Sequence, residues 1–269
     1  MKIILFSLFI SFNTVAKDKV IGGSFANKNQ FKNVVAILAK TWKGTALCTG
    51  TIIHPRIVLT AAHCTLNRSV IRVGQAGVSI KVKAFKDHEL YKEGNNDAEN
   101  AKNDIAVLVL EKPYPINTSD IVPLITTAQS RKVKFKNKKT KFTIVGFGKT
   151  GVRGTSGTKK YKTITYKKDL LVCPKFDSSE VINMVEGSYF GDSGGPAFTT
   201  VKGKNVQIGV ATTVTRADLN LGKFKVGDCN RSQYVNLSRH LNWLKENFDY
   251  PTSKNTNEYN EYLMKKYGL

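Results

Sequence analysis

One short motif surrounds a serine with the residue types that nucleophilic catalysis needs. Residues 191–196 read Gly-Asp-Ser-Gly-Gly-Pro, so Ser193 lies among glycines that leave the backbone free to turn and beside the carboxylate of Asp192. A serine hydroxyl is a weak nucleophile until a neighbouring base accepts its proton and a third group orients that base. The motif therefore predicts a nucleophilic serine and requires a histidine and a carboxylate elsewhere in the chain.

A histidine and an aspartate occur in suitable contexts. His63 follows the apolar run 57–59, which predicts a buried strand that ends in a short turn. Asp104 stands at the start of the apolar run 105–110, where we expect its carboxylate to be held away from water. The candidates therefore occur in the order His63, Asp104, Ser193. The other histidines lack such contexts, and we expect them in turns or at the surface: His54, His88 and His240.

These three contexts resemble those of the chymotrypsin and trypsin family of serine proteases, whose catalytic residues follow the same order. The resemblance covers roughly residues 20–248 and includes Val-Ile-Gly-Gly at 20–23. It implies a serine endopeptidase that works through an acyl-enzyme, with His63 as the base, Asp104 as its orienting carboxylate and Ser193 as the nucleophile.

The same resemblance assigns supporting groups around the triad. The backbone amides of Gly191 and Ser193 would form the oxyanion hole. The hydroxyl of Thr212 would support Asp104. A catalytically silent homologue that acts as a cationic binding protein is the alternative function, and esterase-type acyl transfer on small substrates is a third.

Short apolar or alternating runs separated by turn residues predict an all-β fold. Spacing alone allows a sandwich, whereas the resemblance implies two antiparallel six-stranded β-barrels of the chymotrypsin type, joined near residues 115–135. Apolar residues at helical spacing predict a C-terminal helix over 237–248, and a polar extension over 249–269 follows it. The strand runs are 34–38, 50–53, 57–59, 70–73, 78–82, 105–110, 142–145 and 208–211.

The N-terminal segment has the features of a secretory signal. One positive charge precedes an apolar run that is short for a bilayer span, and small residues at 14–16 suit cleavage after Ala16. We expect a signal peptide over 1–16 and a secreted protein, extracellular or periplasmic; an N-terminal strand or membrane anchor is the alternative.

Residues 17–19, Lys-Asp-Lys, would then form a short propeptide. The resemblance implies a zymogen activated by a cut after Lys19, after which the new amino group of Val20 pairs with Asp192. The alternative is that removal of the signal alone leaves the final N terminus.

The specificity pocket is implied by alignment with the family. Gly187 would form its floor and Ser188, Val214 and Ser232 its walls, which favours small or apolar side chains before the cut. If Glu186 reached the floor instead, cleavage would follow Lys or Arg. A tyrosine at 189 replaces the cysteine that the family has there.

The chain has four cysteines. The resemblance implies a disulfide between Cys48 and Cys64, and we pair Cys173 with Cys229, with two free thiols as the alternative. No CxxC spacing occurs, and residues 67–82 contain no Asp or Glu, so we expect no metal site and no cofactor.

The chain is strongly basic, with a formal net charge of +22. Lysines are concentrated over 131–141 and 159–168, and such a basic face would attract anionic surfaces or polymers. A solvated lysine face without a partner is the alternative. Protein or peptide substrates remain the principal expected partners. No nucleic-acid-binding motif accompanies the charge, so we expect no specific nucleic acid, and we expect a monomer.

Overall fold

The computed structural model describes residues 23–92, 98–133, 140–149, 155–165, 181–185, 188, 190–215 and 231–248. Several expectations concern residues outside these ranges. They are the signal peptide 1–16, the propeptide 17–19, Val20, Glu186, Gly187, Tyr189, Cys173, Cys229 and the extension 249–269.

Six strands close into an antiparallel barrel in the order β2-β3-β4-β7-β6-β5. A short strand, β1 (Ser24–Phe25), precedes them. The barrel strands are β2 (Val34–Thr41), β3 (Gly44–His54), β4 (Ile57–Thr60), β5 (Ile71–Gln75), β6 (Val78–Asp87) and β7 (Ala106–Leu110). A helix, α1 (Ala98–Lys102), leads into β7.

Burial follows the apolar pattern of these strands. β4 and β7 are buried along their whole length, so both of their faces are covered. β6 alternates instead: Ile80 and Val82 are buried, whereas Ser79 and Lys81 are exposed. This two-residue period places one face of β6 in the core and the other in solvent.

The remaining strands form a seven-stranded antiparallel sheet in the order β1-β9-β8-β11-β12-β13-β10. The expected all-β chymotrypsin-like fold is confirmed; this sheet counts seven strands because β1 pairs with the edge strand β9. Its strands are β8 (Lys141–Gly146), β9 (Lys160–Thr165), β10 (Val181–Val185), β11 (Pro196–Val201), β12 (Lys204–Thr215) and β13 (Arg231–Asn236).

Short helical segments connect and close the sheets. A 3-10 turn (Thr118–Asp120) and α2 (Thr127–Ser130) lie in the connection between them. After β13, a 3-10 turn (Leu237–Arg239) leads to the C-terminal helix α3 (Leu241–Phe248). The helix predicted over 237–248 is therefore interrupted at His240, because the first turn is tighter than an α-helix. No helix among the described ranges is long and apolar enough to cross a membrane.

Two expectations about surface residues are wrong. His54, expected in a turn or at the surface, instead ends a barrel strand and is only 5% exposed. His240 lies in a turn, as expected, but it is also only 5% exposed, and its Nε2 donates to the Lys102 carbonyl oxygen at 2.9 Å. Lys159 and Lys160, assigned to the basic face, are 7% and 0% exposed. Lys160 lies on β9 between β1 and β8 and packs over the ring of Phe25, which removes both lysines from the solvent-facing charge.

Candidate active site

The candidate base and its carboxylate come from two barrel segments that the fold places side by side. His63 lies in a 3-10 turn (Ala62–Cys64) directly after β4, and Asp104 precedes β7, the strand that pairs with β4. The Oδ2 atom of Asp104 lies 2.7 Å from Nδ1 of His63, and Oδ1 accepts the His63 backbone amide at 2.9 Å. Asp104 therefore holds both the ring and the backbone of His63 and leaves Nε2 as the free ring nitrogen.

A third hydrogen-bond donor to Asp104 comes from the second sheet. The hydroxyl of Thr212 donates to Oδ2 at 2.5 Å. The register between β12 and β13 shifts between Ala211 and Val214, so one extra residue lies in β12 at this point. Such a bulge can re-aim a side chain beside a functional site. Thr212 lies within this bulge and connects the two sheets at the carboxylate.

The paired groups change each other's pKa. Burial opposes the charged form of Asp104, which is 2% exposed, yet the charge of His63 and three hydrogen bonds hold the pKa of Asp104 below its ordinary value. Burial also opposes the charged form of His63, but the negative charge of Asp104 and its hydrogen bond raise the pKa of His63. Arg68 acts in the opposite direction on the same ring. The pair thus favours an imidazolium next to an ionised carboxylate.

The candidate nucleophile lies beside the disulfide that flanks His63. Cys48 on β3 is bonded to Cys64, with their Cα atoms 6.1 Å apart. The Sγ atom of Cys64 lies 3.7 Å from the carbonyl oxygen of Ser193 and within 4.8 Å of a ring nitrogen of His63. Cys48, Cys64 and His63 are the only group with metal-ligand spacing among the described residues. Because both sulfurs are in the disulfide, they are not available as thiolate ligands.

Thr49 forms hydrogen bonds with the loop that contains the candidate oxyanion donors, Gly191 and Ser193. Its backbone amide donates to the Ser193 carbonyl oxygen at 2.8 Å, and its hydroxyl donates to the Gly191 carbonyl oxygen at 2.8 Å. The same hydroxyl accepts the Phe147 amide at 3.0 Å, and the Thr49 carbonyl oxygen accepts the Thr60 hydroxyl at 2.9 Å. The buried Thr49 side chain thus joins β3 to two loops of the second sheet, one that contains Gly191 and one that contains Phe147.

Gly191 has a conformation and a setting that exclude a side chain. Its φ is +100°, and a Cβ there would lie 2.9 Å from Cα of Gly148. The neighbouring backbone is further held by the Lys149 amide, which donates to the Phe190 carbonyl oxygen at 2.8 Å. Glycine at 191 therefore lets the loop approach the 148–149 segment closely.

Asp192 points its carboxylate into the protein, away from solvent. It is 3% exposed, and its Oδ1 accepts the Gly148 amide at 2.7 Å. The carbonyl oxygen of Gly148 accepts the ammonium of Lys160 at 3.4 Å. Gly148 is thus held at both its amide and its carbonyl, and it couples Asp192 to β9. Val20, the expected partner of Asp192, lies outside the described residues.

Two of the expected pocket residues meet although they are far apart in sequence. The amide of Ser188 donates to Oγ of Ser232 at 2.9 Å, and the Ser188 hydroxyl lies 2.5 Å from the hydroxyl of Tyr234. The backbone of Val214 pairs with Ser232. Burial raises the pKa of Tyr234, so its phenol is neutral. Ser188, Ser232 and Tyr234 therefore form a buried cluster of neutral hydroxyl groups.

Sequence reasoning missed three contributors to this geometry. The roles of Thr49, Gly148 and Tyr234 were not predicted, because each acts on partners distant in sequence. Thr49 adjoins Cys48, which was the only local signal that could have directed attention to it.

The all-β architecture and the His63–Asp104 pair are features of the trypsin-like class of proteins. The Trypsin family profile matches residues 20–235, and the chain belongs to this family. The curated relatives include coagulation factor IX of Cavia porcellus, 27% identical over 245 residues, which cover 84% of this chain and 80% of the relative. Chymotrypsin-like elastase family member 1 of Bos taurus is 27% identical over 249 residues, which cover 84% of this chain and 88% of the relative.

A solved structure shows the same fold. A collagenase (HL collagenase) matches with a TM-score of 0.62 and 19% identity, over 84% of this chain and 97% of the collagenase. At this identity the likeness concerns the fold alone. The family assignment shows that this chain is a trypsin-like serine protease homologue. The structure shows that it has at least one disulfide bond.

Proposed function

We propose that the protein is a secreted serine endopeptidase that cleaves peptide bonds through His63, Asp104 and Ser193. The observation that carries the proposal is the 2.7 Å contact between Nδ1 of His63 and Oδ2 of Asp104. A histidine oriented in this way keeps its other nitrogen free to accept a proton. A merely structural histidine would not need a buried carboxylate that three donors hold in place.

In the proposed mechanism, Nε2 of His63 takes the proton of the Ser193 hydroxyl as its oxygen attacks the scissile carbonyl. His63 then donates that proton to the leaving amine, which yields an acyl-enzyme and a free N terminus. Water then attacks the acyl carbonyl while His63 takes one of its protons, and His63 donates that proton to the Ser193 oxygen as the ester bond breaks, which releases the carboxylic acid product and restores the serine. Asp104 keeps the imidazole in the required tautomer and stabilises the transient positive charge.

The negative charge that develops on the carbonyl oxygen would be stabilised by the backbone amides of Gly191 and Ser193. Donors contribute most when they do not reorganise during the reaction. The hydrogen bonds from Thr49 to the carbonyl oxygens of both residues support such a fixed loop.

For substrate preference, we propose small or apolar side chains before the cut. The described side chains at this position, Ser188, Ser232 and Tyr234, are neutral, and a wall of neutral groups gives a Lys or Arg side chain no compensating charge. Gly187 as the floor belongs to this proposal, and Lys or Arg specificity through Glu186 is the outcome that would contradict it.

Activation by a cut after Lys19 is proposed from the setting of Asp192. A carboxylate that is 3% exposed favours a cationic partner, and the new amino group of Val20 would supply that charge beside Gly148. The signal peptide over 1–16 and the propeptide over 17–19 belong to the same proposal, as does a disulfide that persists in an oxidising compartment.

A labelling experiment tests the catalytic claim. The chain from residue 17 onward is treated with trypsin, its new N terminus is sequenced, and the product is incubated with a peptidyl phosphonate that has a small apolar side chain. We expect covalent labelling of Ser193 in the cleaved protein, little in the uncut protein and none in Ser193→Ala. Absence of labelling and of peptide cleavage, with Val20 verified as the N terminus, would favour a catalytically silent homologue.

A peptide library then tests specificity separately from catalysis. The activated protein and Ser193→Ala are compared, and sites cut only by the former are collected. Small or apolar residues before the cut support the pocket proposed above, whereas Lys or Arg there would implicate Glu186.

A further inference from the structure

Lys159 is a buried cation whose hydrogen-bond partners are uncharged. Its side chain lies next to β9, with the residue 7% exposed, and its Nζ atom donates to the Phe31 carbonyl oxygen at 2.9 Å and to Oε1 of Gln75 at 3.0 Å. An ammonium group has three protons to donate. Within the described ranges, no carboxylate lies within ion-pair distance of Nζ, and two of its three protons have an acceptor.

Gln75, the side-chain acceptor of Lys159, is held in one orientation by a hydrogen bond of its own. The Nε2 atom of Gln75 donates to the Lys32 carbonyl oxygen at 2.9 Å, so its Oε1 is the atom turned to Lys159. Gln75 ends β5 of the barrel, whereas Lys159 precedes β9 of the second sheet. The ammonium is therefore held between the two sheets by the backbone carbonyl of Phe31 and by a Gln75 side chain whose own orientation is fixed by a second hydrogen bond.

A cavity of about 440 Å³ opens at this position, and Lys159 and Gln75 are among its lining residues. Its volume falls in the range of about 300–1,000 Å³ that is typical of small-molecule sites. His63, Asp104 and Ser193 are not part of its lining, so the cavity is separate from the candidate active site.

The lining has a positive charge and an apolar wall. Lys28, Lys32 and Lys159 contribute three positive charges, and Asp120 contributes one negative charge, which is paired with Lys32 at 3.1 Å. The lining of the cavity therefore has a formal net charge of +2. Tyr114, Ile116 and Phe147 are among the apolar lining residues. An occupant that matches both features would have an anionic head and an apolar part.

We propose that this cavity is a binding site for a compact organic carboxylate, whose oxygens accept from Lys159 and whose apolar part packs against Tyr114 and Ile116. A carboxylate supplies the counter-charge that a buried ammonium otherwise lacks, and charge-assisted hydrogen bonds of this kind are among the stronger ones. The carboxylate would belong to a free acid or to the C terminus of a peptide. This site is independent of the proposed protease activity.

The electrostatic state of Lys159 agrees with the geometry. Burial lowers the pKa of Lys159 to about 8. Because a bound carboxylate favours the charged amine, binding should be strong at pH 7 and should weaken as pH rises through 8. The other titratable groups of the lining are Lys28, Lys32, Tyr114 and Asp120. Burial raises the pKa of Tyr114 above its ordinary value.

Calorimetric titration with matched probes tests the site. Hexanoate is compared with hexanamide, which has the same apolar part without the charge, on the full chain, on Lys159→Met and on Lys204→Met. Lys204 is exposed and outside the cavity lining, so its variant loses the same charge elsewhere. We expect hexanoate to bind the wild type and Lys204→Met alike, and Lys159→Met and hexanamide each to weaken binding by about tenfold or more.

A second probe pair separates the two sources of carboxylate. Acetyl-Gly-Gly-Val with a free C terminus is compared with its C-terminal amide. Tighter binding of the free peptide than of hexanoate assigns the site to peptide C termini, and the reverse assigns it to small acids. Binding of either carboxylate should fall about tenfold between pH 7 and pH 9, as the protonated fraction of Lys159 falls.

Three results would overturn the proposal: equal binding of hexanoate by the wild type and Lys159→Met, equal binding of hexanoate and hexanamide, or no binding of either carboxylate. If Lys159→Met does not fold, the wild type is treated with acetic anhydride, and mass spectrometry measures how fast Lys159 is acylated with and without hexanoate. Hexanoate, and not hexanamide, should then protect Lys159 from acylation while Lys204 reacts unchanged.

Discussion

The hydroxyl of Thr49 donates to the carbonyl oxygen of Gly191 across 2.8 Å, and this contact joins the barrel to the loop that carries the proposed oxyanion donors. The two residues are 142 positions apart in sequence. Because the same hydroxyl also accepts the Phe147 amide, its loss would leave two buried polar groups without their partner. A fully buried residue of the barrel thus holds the loop in place.

Thr49→Val should lower kcat with little change in KM. It removes the hydroxyl at nearly constant volume, and an unsatisfied buried group costs about 1–3 kcal/mol, so we expect kcat to fall by about tenfold. Thr49→Ser, which keeps the hydroxyl, should remain close to the wild type. The measurement is ester hydrolysis under saturating and limiting substrate. A Thr49→Val enzyme with unchanged kcat would show that the contact is only structural, and amide hydrogen exchange at Phe147 would still report whether the bond is lost.

Asp104→Asn should remove most of the activity while the protein remains folded. The amide side chain cannot stabilise the imidazolium and favours the wrong tautomer, and a loss of about 10⁴-fold in kcat is the scale known for the corresponding change in this family. Thr212→Val, which removes one of the three hydrogen bonds to Asp104, should cost about tenfold. Single-turnover acylation measures both. Equal losses in the two variants would contradict the assignment of Asp104 as the orienting carboxylate.

The activity should follow the deprotonation of His63, since only the neutral ring accepts the serine proton. The pKa of His63 is raised, so kcat/KM should rise with pH and reach half its maximum above pH 6.5. Arg68 lowers the pKa of His63 through its positive charge, so Arg68→Gln should move this midpoint further upward. Lys204→Gln is the matched control and should leave it in place. A midpoint that falls in Arg68→Gln would contradict this electrostatic account.

The buried His240 should make the fold sensitive to acid. Burial, followed by the nearby charge of His88, lowers the pKa of His240 to about 4. Between pH 6.5 and 4 the unfolded chain binds a proton at this residue and the folded chain does not, so stability is full above pH 6.5 and falls as the pH decreases. We expect this residue to account for roughly 2–3 kcal/mol of the loss in unfolding free energy.

His240→Gln isolates that contribution, because glutamine can still donate to the Lys102 carbonyl oxygen but does not titrate. Urea unfolding of the two proteins at pH 7 and pH 4.5 measures the difference. The variant should lose less stability on acidification than the wild type. Parallel losses would mean that other groups, such as Asp104, dominate the acid response.

Local sequence pattern was sufficient for much of the fold. The run 105–110 and the run 57–59 are uniformly apolar, and β7 and β4 are buried throughout. The alternation in 78–82 likewise matches the half-buried strand β6. The C-terminal helix was predicted one turn too long, since spacing of apolar residues does not distinguish a 3-10 turn from the start of an α-helix.

Local sequence pattern gave the wrong location for several ionisable side chains, which are buried in the structure. Lys159 and Lys160 belong to a lysine-rich stretch that the sequence alone assigns to the surface, yet both are buried because β9 lies between β1 and β8. His240 is buried because it meets Lys102, which is 138 positions away. No window of the sequence contains both partners of such a contact.

The sequence by itself was enough to predict the type of chemistry and the residues that would carry it, because the contexts of His63, Asp104 and Ser193 are short and each depends on its immediate neighbours. The tertiary structure alone decided how these residues are held. Antiparallel pairing of β4 with β7 brings His63 to Asp104, a bulge in β12 turns Thr212 to the same carboxylate, and Thr49 fixes Gly191 from the other sheet. These contacts depend on strand register and on burial, which are properties of the packed chain.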